Sequence, residues 1–509
     1  MGARAGLRRC VLTFLTVAAV GLLAVTAAAT ATVRKTAARR VIATKGTIPL
    51  KTALLGPNFV GAERDAALAM AKAAGASYVR MSVQWRFIAP GPTPPPGFVA
   101  TNPTSTGYNW SQYDQILTDV QKAGLTPILD ISTVPDWAYA TKPDPPNAGS
   151  PNATDLGNFA RALATHYNGT VPGAPAEHVF QVWNEPNHSK SLSPVNANFY
   201  RGMVNAVATA VHAVSSQNLV VAGGLAPFGH KKTKGQKWNS VAPLAFMRTL
   251  LCLSGGKKPH ATCKTPVHFD VWSHHPYTFG GPFAHAKNPD DVSLGDLPKM
   301  RTLLRTGVKK HHVISSKSVQ FWVTEFGWDS KPPRPKAAST DLASRWTAES
   351  LYQMWRSGVS LVTWFLIQDY PSPSPYQSGL YYHGATLKQA RVKPVRTAFR
   401  FPFVAYLGKQ LFKKVRGKKK ATGQRIVTVW GRTATSTKQV VKIQRAHRKA
   451  GPWAKVATIR ANAVGIFKAS LRLKATKKDW LRAVSPDSGN SLAFSLTVPK
   501  APHIGPWGG

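Results

Sequence analysis

Glutamate is rare in this chain of 509 residues, and two of its five glutamates stand at the ends of apolar runs. Glu185 ends the run Val-Trp-Asn-Glu at 182–185, and Glu325 ends the run Phe-Trp-Val-Thr-Glu at 321–325. Burying a carboxylate without a partner is costly, so chemistry is the favoured reason for acids there, with buried structural ion pairs as the alternative. Cleavage of a glycosidic bond needs two carboxyl groups of this kind.

Two carboxylates 140 residues apart can act together only if the fold brings them together. From residue 51 to 412, runs rich in Val, Ile and Leu alternate with amphipathic helical stretches. The predicted strands are Ala53–Phe59, Tyr78–Val83, Thr126–Ser132, Val179–Asn184, Leu219–Gly223, Phe269–His274, Gln320–Glu325 and Leu361–Leu366. The predicted helices are Arg64–Ala74, Trp110–Ala123, Asp155–Tyr167, Ala197–Val214, Pro243–Leu251, Gly295–Lys310, Leu342–Ser357 and Val395–Phe412. Eight such units predict an α/β fold, a closed (β/α)8 TIM barrel with its longest loops at the C-terminal face.

The segments around both glutamates resemble those of a known group. Trp-Asn-Glu-Pro at 183–186, at the fourth predicted strand, and Thr-Glu-Phe-Gly at 324–327, at the seventh, look like clan A retaining glycoside hydrolases of the family 39 or family 5 kind. The resemblance covers roughly residues 52–412. It implies that Glu325 is the nucleophile and Glu185 the general acid and then base. Retaining enzymes hold these groups about 5–5.5 Å apart, and strand ends four and seven face each other across a barrel.

The same resemblance assigns polar residues around the pair. Asn184 matches the residue that binds the sugar 2-hydroxyl, and Arg80 matches a cation that keeps the nucleophile ionised. A His-x-Tyr pattern at the end of strand six points to His275 and Tyr277, whose hydroxyl can donate to Glu325. His274 is the alternative histidine.

Aromatic side chains at the strand ends are candidates for stacking on sugar rings. Trp364 resembles the platform under the cleaved sugar, and Trp137 a sugar contact in the third loop; a core position is the alternative for both. Relatives often carry an acid where this chain has Ala89, so subsite specificity is not transferred from them. The basic loop Gly229–Trp238 is expected on the catalytic face, where it could bind a uronate or belong to a general basic coat.

No cofactor or metal ion is expected. The chain has no glycine-rich phosphate loop after a strand, and retaining hydrolysis needs no metal. The neighbouring histidines 274 and 275 are a weak metal site, because adjacent residues of a strand point to opposite faces.

The N-terminus and the cysteines predict export. Residues 1–33 have the charged and apolar regions of a signal peptide, with an uncleaved membrane anchor as the alternative. Residues 34–50 are expected to form a basic flexible arm. Cys252 and Cys263 are expected to form a disulfide. The predicted location is secreted or extracytoplasmic, with association to the cell surface.

The C-terminal part is strongly basic. A linker is predicted at 413–420 and a basic antiparallel β-sandwich accessory domain at 421–509. The stretch 409–482 holds 22 Lys and Arg against one acid, in a chain of net charge +45. Its predicted partners are an anionic polymer or the cell wall rather than a specific nucleic acid, and a monomer is expected. The leading function is an exported retaining β-glycosidase, and the alternative is a non-catalytic carbohydrate- or polyanion-binding protein of the cell surface.

Overall fold

A closed barrel of parallel strands forms the centre of the molecule. The computed structural model describes residues 41–505, apart from positions 47, 90, 144–147, 232–236, 257, 436–437 and 503. The eight barrel strands are β1 (Lys51–Leu55), β2 (Tyr78–Gln84), β3 (Thr126–Ser132), β4 (Val179–Val182), β5 (Leu219–Leu225), β6 (Val271–His274), β7 (Gln320–Phe326) and β8 (Leu361–Phe365). Each pairs with the next in sequence, and β8 pairs with β1, so the TIM barrel prediction is confirmed.

A helix follows every barrel strand. These helices are α1 (Arg64–Ala73), α2 (Ser111–Lys122), α3 (Ala153–His166), α4 (Ala197–Val214), α5 (Pro243–Leu250), α6 (Leu297–Lys309), α7 (Thr340–Arg356) and α8 (Pro394–Arg400). Asparagine side chains begin two of them: Asn152 caps α3 and Asn196 caps α4, each accepting two backbone N–H groups. Helical turns of three or four residues lie at Pro57–Phe59, Trp85–Ile88, Asp136–Ala138, Leu294–Asp296 and Leu387–Gln389.

The lower part of the barrel interior is packed with apolar side chains. Every strand from β1 to β8 contributes to one cluster that is separate from the main core between strands and helices. Its members are Ala53, Tyr78, Ile128, Val179, Leu219, Val221, Val271, Trp322 and Leu361. The barrel is therefore a filled core rather than a pore, and polar side chains can gather only nearer its C-terminal end.

The C-terminal region consists of two antiparallel sheets, as the β-sandwich prediction requires. Its long strands are β9 (Phe403–Val415), β10 (Lys418–Arg432), β11 (Val440–Ala446), β12 (Ala454–Arg460), β13 (Ile466–Leu473) and β14 (Trp480–Ser485). One sheet has the order β9-β10-β13, and the other contains β12-β11-β14. Strands of two or three residues complete the structure at Ile42–Ala43, Tyr139–Thr141, Ser150–Pro151, Val267–His268, Val313–Ile314, Ser330–Lys331, Ala338–Ser339, Gly489–Asn490 and Phe494–Ser495.

The predicted linker at 413–420 is wrong. Strand β9 runs through it to Val415, and β10 begins at Lys418 after a tight turn with positive φ at Arg416 and Gly417. The last predicted barrel helix also stops at Arg400 instead of Phe412, because the stretch from Phe403 onward pairs with β10. The sandwich therefore begins at residue 403.

Part of the predicted flexible arm is ordered against the sandwich. Ile42 and Ala43 form a short parallel strand beside Ile459 and Arg460 of β12. The Asn462 amide donates to the Gly46 carbonyl oxygen at 2.6 Å. Residues 42–46 are thus held against the sandwich by a short strand and by the Asn462 side chain. The predicted signal peptide at 1–33 and positions 34–40 lie outside the described residues.

A buried arginine joins the sandwich to the barrel. Arg432, at the end of β10, is 5 % exposed. Its guanidinium donates to the Thr52 hydroxyl in β1 and to carbonyl oxygens of Leu50, Phe399 and Arg400 at 3.2–3.4 Å. Burial lowers the pKa of Arg432 to about 10, which still leaves it charged at neutral pH. The sandwich is therefore connected to the barrel region through main-chain carbonyls and the Thr52 hydroxyl.

The disulfide prediction is confirmed. Cys252, after α5, is bonded to Cys263, with a Cα–Cα distance of 5.0 Å that suits the bridge. Separately, no helix in the described ranges is long and apolar enough to cross a membrane.

Glu177, which precedes β4, provides a test of the packing outside the site. Its side chain is buried, and burial raises its pKa from 4.5 to about 8. The folded state then binds this proton more tightly than the unfolded state, so stability falls as pH rises from 4.5 through 8. We expect Glu177→Gln to raise the free energy of unfolding at pH 9 by about 3–5 kcal/mol, and to change it little at pH 4.5.

Urea unfolding across this pH range measures the effect. Asp65→Asn, which removes a carboxyl group at an exposed position on α1, is the control for the loss of one acidic side chain. A Glu177→Gln curve parallel to the wild-type curve from pH 4.5 to 9 would contradict the burial of this carboxyl.

Candidate active site

Arg80 organises the upper layer of the barrel. Its side chain is 6 % exposed and extends from β2 into the interior. The Nε–H donates to Gln181 Oε1 at 3.0 Å, and Nη2 donates to Asp130 Oδ2 at 2.8 Å and to Asn184 Oδ1 at 2.7 Å. Nη1 reaches Glu325 Oε2 at 3.4 Å. One guanidinium therefore connects side chains from β2, β3, β4 and β7.

Glu325 is held by two donors. Besides Arg80, the hydroxyl of Tyr277 donates to Glu325 Oε1 at 3.0 Å. Tyr277 follows β6 and is buried, and burial next to Glu325 raises the pKa of its hydroxyl, so the hydroxyl stays a donor. Each carboxylate oxygen thus has one partner, and the side chain keeps 20 % of its surface exposed. Glu325 is oriented and still accessible.

Glu185 has a different environment. His275 Nδ1 lies 3.0 Å from Glu185 Oε1, and its Nε2 lies 3.1 Å from the Thr324 hydroxyl. Burial lowers the pKa of His275 to about 3, so the imidazole is neutral. Burial also raises the pKa of Glu185, opposed by nearby His188, Arg80 and Lys190. A carboxyl beside a neutral imidazole, with a quarter of its surface exposed, can carry a proton and release it.

The main chain after β4 is shaped to present these groups. Trp183 and Glu185 both have positive φ, at 70° and 46°. The Glu185 N–H donates to the carbonyl oxygen of Gly224, and the Trp183 indole donates to Ser191. The carboxyl is therefore fixed from its backbone as well as through His275.

Two glycines at the end of β5 make room for this arrangement. Gly223 and Gly224 have φ of 95° and 58°. A Cβ on Gly223 would lie 2.3 Å from the Ser273 carbonyl oxygen, and one on Gly224 would lie 3.2 Å from Gln181 Nε2. Glycine is needed here because β4 and β6 approach β5 too closely for a side chain.

The structure separates the two adjacent histidines. His275 meets Glu185, whereas His274 points away and contacts the Val292 carbonyl oxygen at 2.9 Å. The Asn184 Oδ1 accepts from Arg80, and its role in binding the sugar 2-hydroxyl stays a prediction.

Trp364 does not lie where the resemblance suggested. It is fully buried, donates to the Ser378 carbonyl oxygen, and packs on Phe326 and Phe399, so it is a core residue rather than a sugar platform. The partly exposed aromatic residue at the end of β8 is its neighbour Phe365. A shift of one residue along a strand exchanges the inner and outer faces.

Phe365 belongs to an aromatic trio that the sequence did not reveal. Its ring centroid lies 5.2 Å from that of Tyr376 and 6.5 Å from that of Tyr370, and both tyrosines come from the loop after β8. Both are close enough to Glu325 for its charge to raise their pKa, in addition to burial. The signal was a proline-rich loop, 370–376, with a tyrosine at each end.

Trp137 lies in the loop after β3. It packs edge-on against Trp85 and Phe98, with centroids 5.7 and 5.9 Å apart. Its role as a sugar contact stays a prediction.

Asp130 and Gln181 were also missed, although each is a polar residue within an apolar strand. Asp130 is paired with Arg80, but burial outweighs that partner and raises its pKa to about 6. Within the described residues, no group of three His, Cys, Asp or Glu side chains is placed to bind a metal ion.

Comparisons with known proteins were made for the whole chain. No protein-family model and no curated protein matches it. Similar solved structures include a family 39 glycoside hydrolase from the gut symbiont Bacteroides cellulosilyticus WH2, with a TM-score of 0.49 and 15% identity over 83% of this chain and 79% of that chain. A monomeric beta-xylosidase from Caulobacter crescentus CB15 has a TM-score of 0.49 and 13% identity over 89% and 99% of the two chains. The GH39 enzyme from Xanthomonas axonopodis pv. citri has a TM-score of 0.47 and 13% identity over 90% of this chain and 98% of that chain. Similarity at these identities concerns the fold, so the reaction has to be inferred from the site residues.

The Arg80–Asp130 pair allows a test of the site without a substrate. We expect Arg80→Met to lower the free energy of unfolding by about 3–5 kcal/mol, because it leaves Asp130 buried without its cation. The double variant Arg80→Met, Asp130→Leu should lose less than the sum of the single losses, as measured by urea unfolding at pH 7.

Arg64→Met is the matched control. Arg64 pairs with Asp119 at 2.6 Å, but both side chains are more exposed than those of the buried pair. Its loss should be smaller, about 1 kcal/mol or less. Additive losses from Arg80→Met and Asp130→Leu would mean that the two groups are not coupled.

Proposed function

We propose that this protein is a retaining glycoside hydrolase, with Glu325 as nucleophile and Glu185 as acid and base. The observation that carries the proposal is the unequal environment of the two glutamates. Glu325 faces the donors Arg80 and Tyr277, which suit a carboxylate that attacks, whereas Glu185 faces a neutral His275, which suits a carboxyl that carries a proton.

In the first step a carboxylate oxygen of Glu325 attacks the anomeric carbon, and the bond from that carbon to the leaving oxygen breaks. Glu185 gives its proton to the leaving oxygen, and a covalent glycosyl-enzyme ester forms. In the second step Glu185 takes a proton from water, whose oxygen displaces Glu325 and releases the sugar. A neutral His275 can donate to the carboxylate form of Glu185 or accept from its protonated form, so it fits both steps.

Three neighbours of the pair would position the sugar. The side-chain carbonyl oxygen of Asn184 accepts from Arg80, which leaves the amide N–H groups of Asn184 to donate to a sugar hydroxyl. The rings of Phe365 and Tyr376, beside Glu325, offer apolar surface to the C–H faces of the sugar. A carbohydrate substrate follows from these contacts together.

We also propose that the enzyme works outside the cytoplasm. Its support is the Cys252–Cys263 bridge, because disulfides persist in oxidising compartments.

A second activity, binding of an anionic polysaccharide, is favoured by the end of the β9–β10 hairpin. Strand β13 pairs with β10 only from Arg425 onward, so the part at 409–424 pairs only with itself. This hairpin end carries seven Lys or Arg residues, and none of them forms an ion pair with a carboxylate of the described chain.

The hairpin end places like charges directly opposite each other. Lys413 pairs with Lys420 and Lys414 with Lys419, an arrangement that destabilises a two-stranded ribbon. Phe412 lies among them and is 58% exposed. A polyanion would relieve the repulsion, and a sugar ring could stack on the exposed phenyl group. The hairpin would then hold the enzyme on an acidic glycan or cell wall.

The catalytic assignment predicts different results for the two glutamates. Glu325→Ala should abolish turnover of every aryl glycoside that the wild type cleaves, since no covalent intermediate can form. Glu185→Gln should slow substrates with poor leaving groups by roughly 10²- to 10⁴-fold and activated ones much less. It should also remove the fall in kcat/KM at high pH, because the wild type loses activity as pH rises through the raised pKa of Glu185.

Labelling with a fluorosugar inactivator, followed by peptide mass analysis, identifies the nucleophile. Glu63→Gln is the control, because Glu63 accepts the Leu387 N–H beside α1 and should not affect the profile. A label on a residue other than Glu325, or wild-type turnover by folded Glu325→Ala, would refute the assignment.

The hairpin proposal predicts salt-sensitive retention of the whole protein on immobilised polyuronate. Changing Lys413, Lys414, Lys419 and Lys420 to Ser should lower the salt concentration for elution about twofold. The control changes the exposed Lys438, Lys442, Lys477 and Lys478 to Ser, with the same loss of charge. Equal shifts would mean that only net charge matters, and stronger retention on duplex DNA or anionic vesicles than on polyuronate would assign another partner.

A further inference from the structure

We propose that the leaving-group side of the site takes a sugar unit or aglycone that carries an oxyanion, a carboxylate or a sulfate. This inference rests on the proposed hydrolase function and adds the chemical class of the leaving group. It comes from a wall with one ammonium group, defined as His188 and Lys190 in the loop after β4 and His230 and Trp238 in the loop after β5.

The wall is built by pairing between these two loops. His188 and His230 both form antiparallel bridges with Ser240. The Ser189 N–H donates to the Asn239 carbonyl oxygen at 2.9 Å, and the Asn239 N–H donates to the Ser189 hydroxyl at 2.9 Å. The pairing of the two loops therefore fixes the positions of His188 and His230 relative to each other.

Lys190 has a defined place in the wall. Its ammonium lies 3.8 Å from the centre of the Trp238 ring, the distance of a cation–π contact. A cation–π contact uses none of the N–H donors of the Lys190 ammonium, so these donors remain available to a ligand. The Lys190 backbone N–H donates to His188 Nδ1 at 3.1 Å.

That last contact also sets the tautomer of His188. With Nδ1 accepting, the proton of the neutral ring sits on Nε2, which has no partner among the described residues. Burial lowers the pKa of His188, consistent with a neutral donor. The wall thus offers an ammonium and an imidazole N–H within one short loop.

The wall lies next to the proposed acid rather than beside the nucleophile. His188 and Lys190 are close enough to Glu185 to lower its pKa against the effect of burial, and His188 N–H donates to the Glu185 carbonyl oxygen. Arg80, Tyr277 and the aromatic trio lie around Glu325. Because the acid protonates the leaving oxygen, the group beyond Glu185 is the leaving group.

The charges near the wall favour an anion. Asp291 interacts with His230, but its Oδ1 already accepts the Gly229 N–H at 2.8 Å. Glu185 is protonated when it acts. A carboxylate or sulfate on the leaving group would meet the Lys190 ammonium and the His188 N–H donor, and a neutral group would leave Lys190 without a charged partner.

Kinetics with matched leaving groups test the inference. Glycosides of 4-nitrophenol and of its carboxy- and sulfo-substituted forms are compared for the sugar that the wild type cleaves, corrected for leaving-group acidity. We expect kcat/KM to favour the charged forms about tenfold, the effect of a charged hydrogen bond. Lys190→Gln should reduce this preference to near one, and Lys190→Arg should retain most of it.

Lys122→Gln is the control, because Lys122 is exposed at the end of α2. This variant should prefer the charged leaving groups as strongly as the wild type does. Activity on all three glycosides without preference for the charged forms, or a preference unchanged by Lys190→Gln, overturns the anionic leaving group and leaves the hydrolase proposal standing. If the wild type cleaves no glycoside and is not labelled at Glu325, both the anionic leaving group and the hydrolase proposal are overturned. A preference for sulfate over carboxylate, or the reverse, selects the oxyanion.

Discussion

A buried guanidinium is the constraint on which the rest of the site depends. Arg80 lies above an apolar floor to which every barrel strand contributes, so its charge has no access to water from below. It must be compensated by the side chains around it. Asp130 and Glu325 supply the opposite charge, while Gln181 and Asn184 accept from two more of its N–H groups. Because those partners come from different strands, compensating one cation fixes the relative positions of the strand ends.

The same constraint explains why two glutamates can have different roles. Glu325 is a partner of Arg80 and Tyr277, whereas Glu185 is separated from that cation by the turn at Trp183 and faces His275. Burial acts on both Glu185 and His275, and it favours the neutral form of each. A neutral His275 adds no positive charge that would favour loss of the proton from Glu185, so Glu185 can keep its proton near Glu325.

The barrel and the pair could be predicted because the relevant patterns are local. Alternating strand and helix signals gave eight units, and the ends of β4 and β7 were recognisable from Glu185 and Glu325. Strand β9 could not be predicted in this way: Phe403–Val415 is also compatible with an amphipathic helix, and its partner β10 lies beyond a turn read as a linker. The short strand at Ile42 was still harder to predict, since its partner Ile459 is more than 400 residues away in the sequence. The prediction for Trp364 was wrong for another reason. Strand pairing decides which face each side chain takes, and a shift of one residue at the strand end places Trp364 in the core and Phe365 at the site.

Positive charge has two separate uses in this molecule. Inside the barrel Arg80 donates to four side chains, and at the interface Arg432 is buried and donates to carbonyl oxygens and the Thr52 hydroxyl. Both guanidinium groups are therefore engaged within the protein. Lys190 at the site and Lys413 on the hairpin are exposed and have no carboxylate partner among the described residues. The chain has 66 Lys and Arg residues and only 21 acids, so its net charge is +45 and many of its cations must be left for water or for an external anion. In the hairpin, backbone pairing fixes such cations side by side against mutual repulsion, and in the wall the loops fix Lys190 beside the His188 N–H donor. In both places an external anion is the proposed interaction that would stabilise the arrangement.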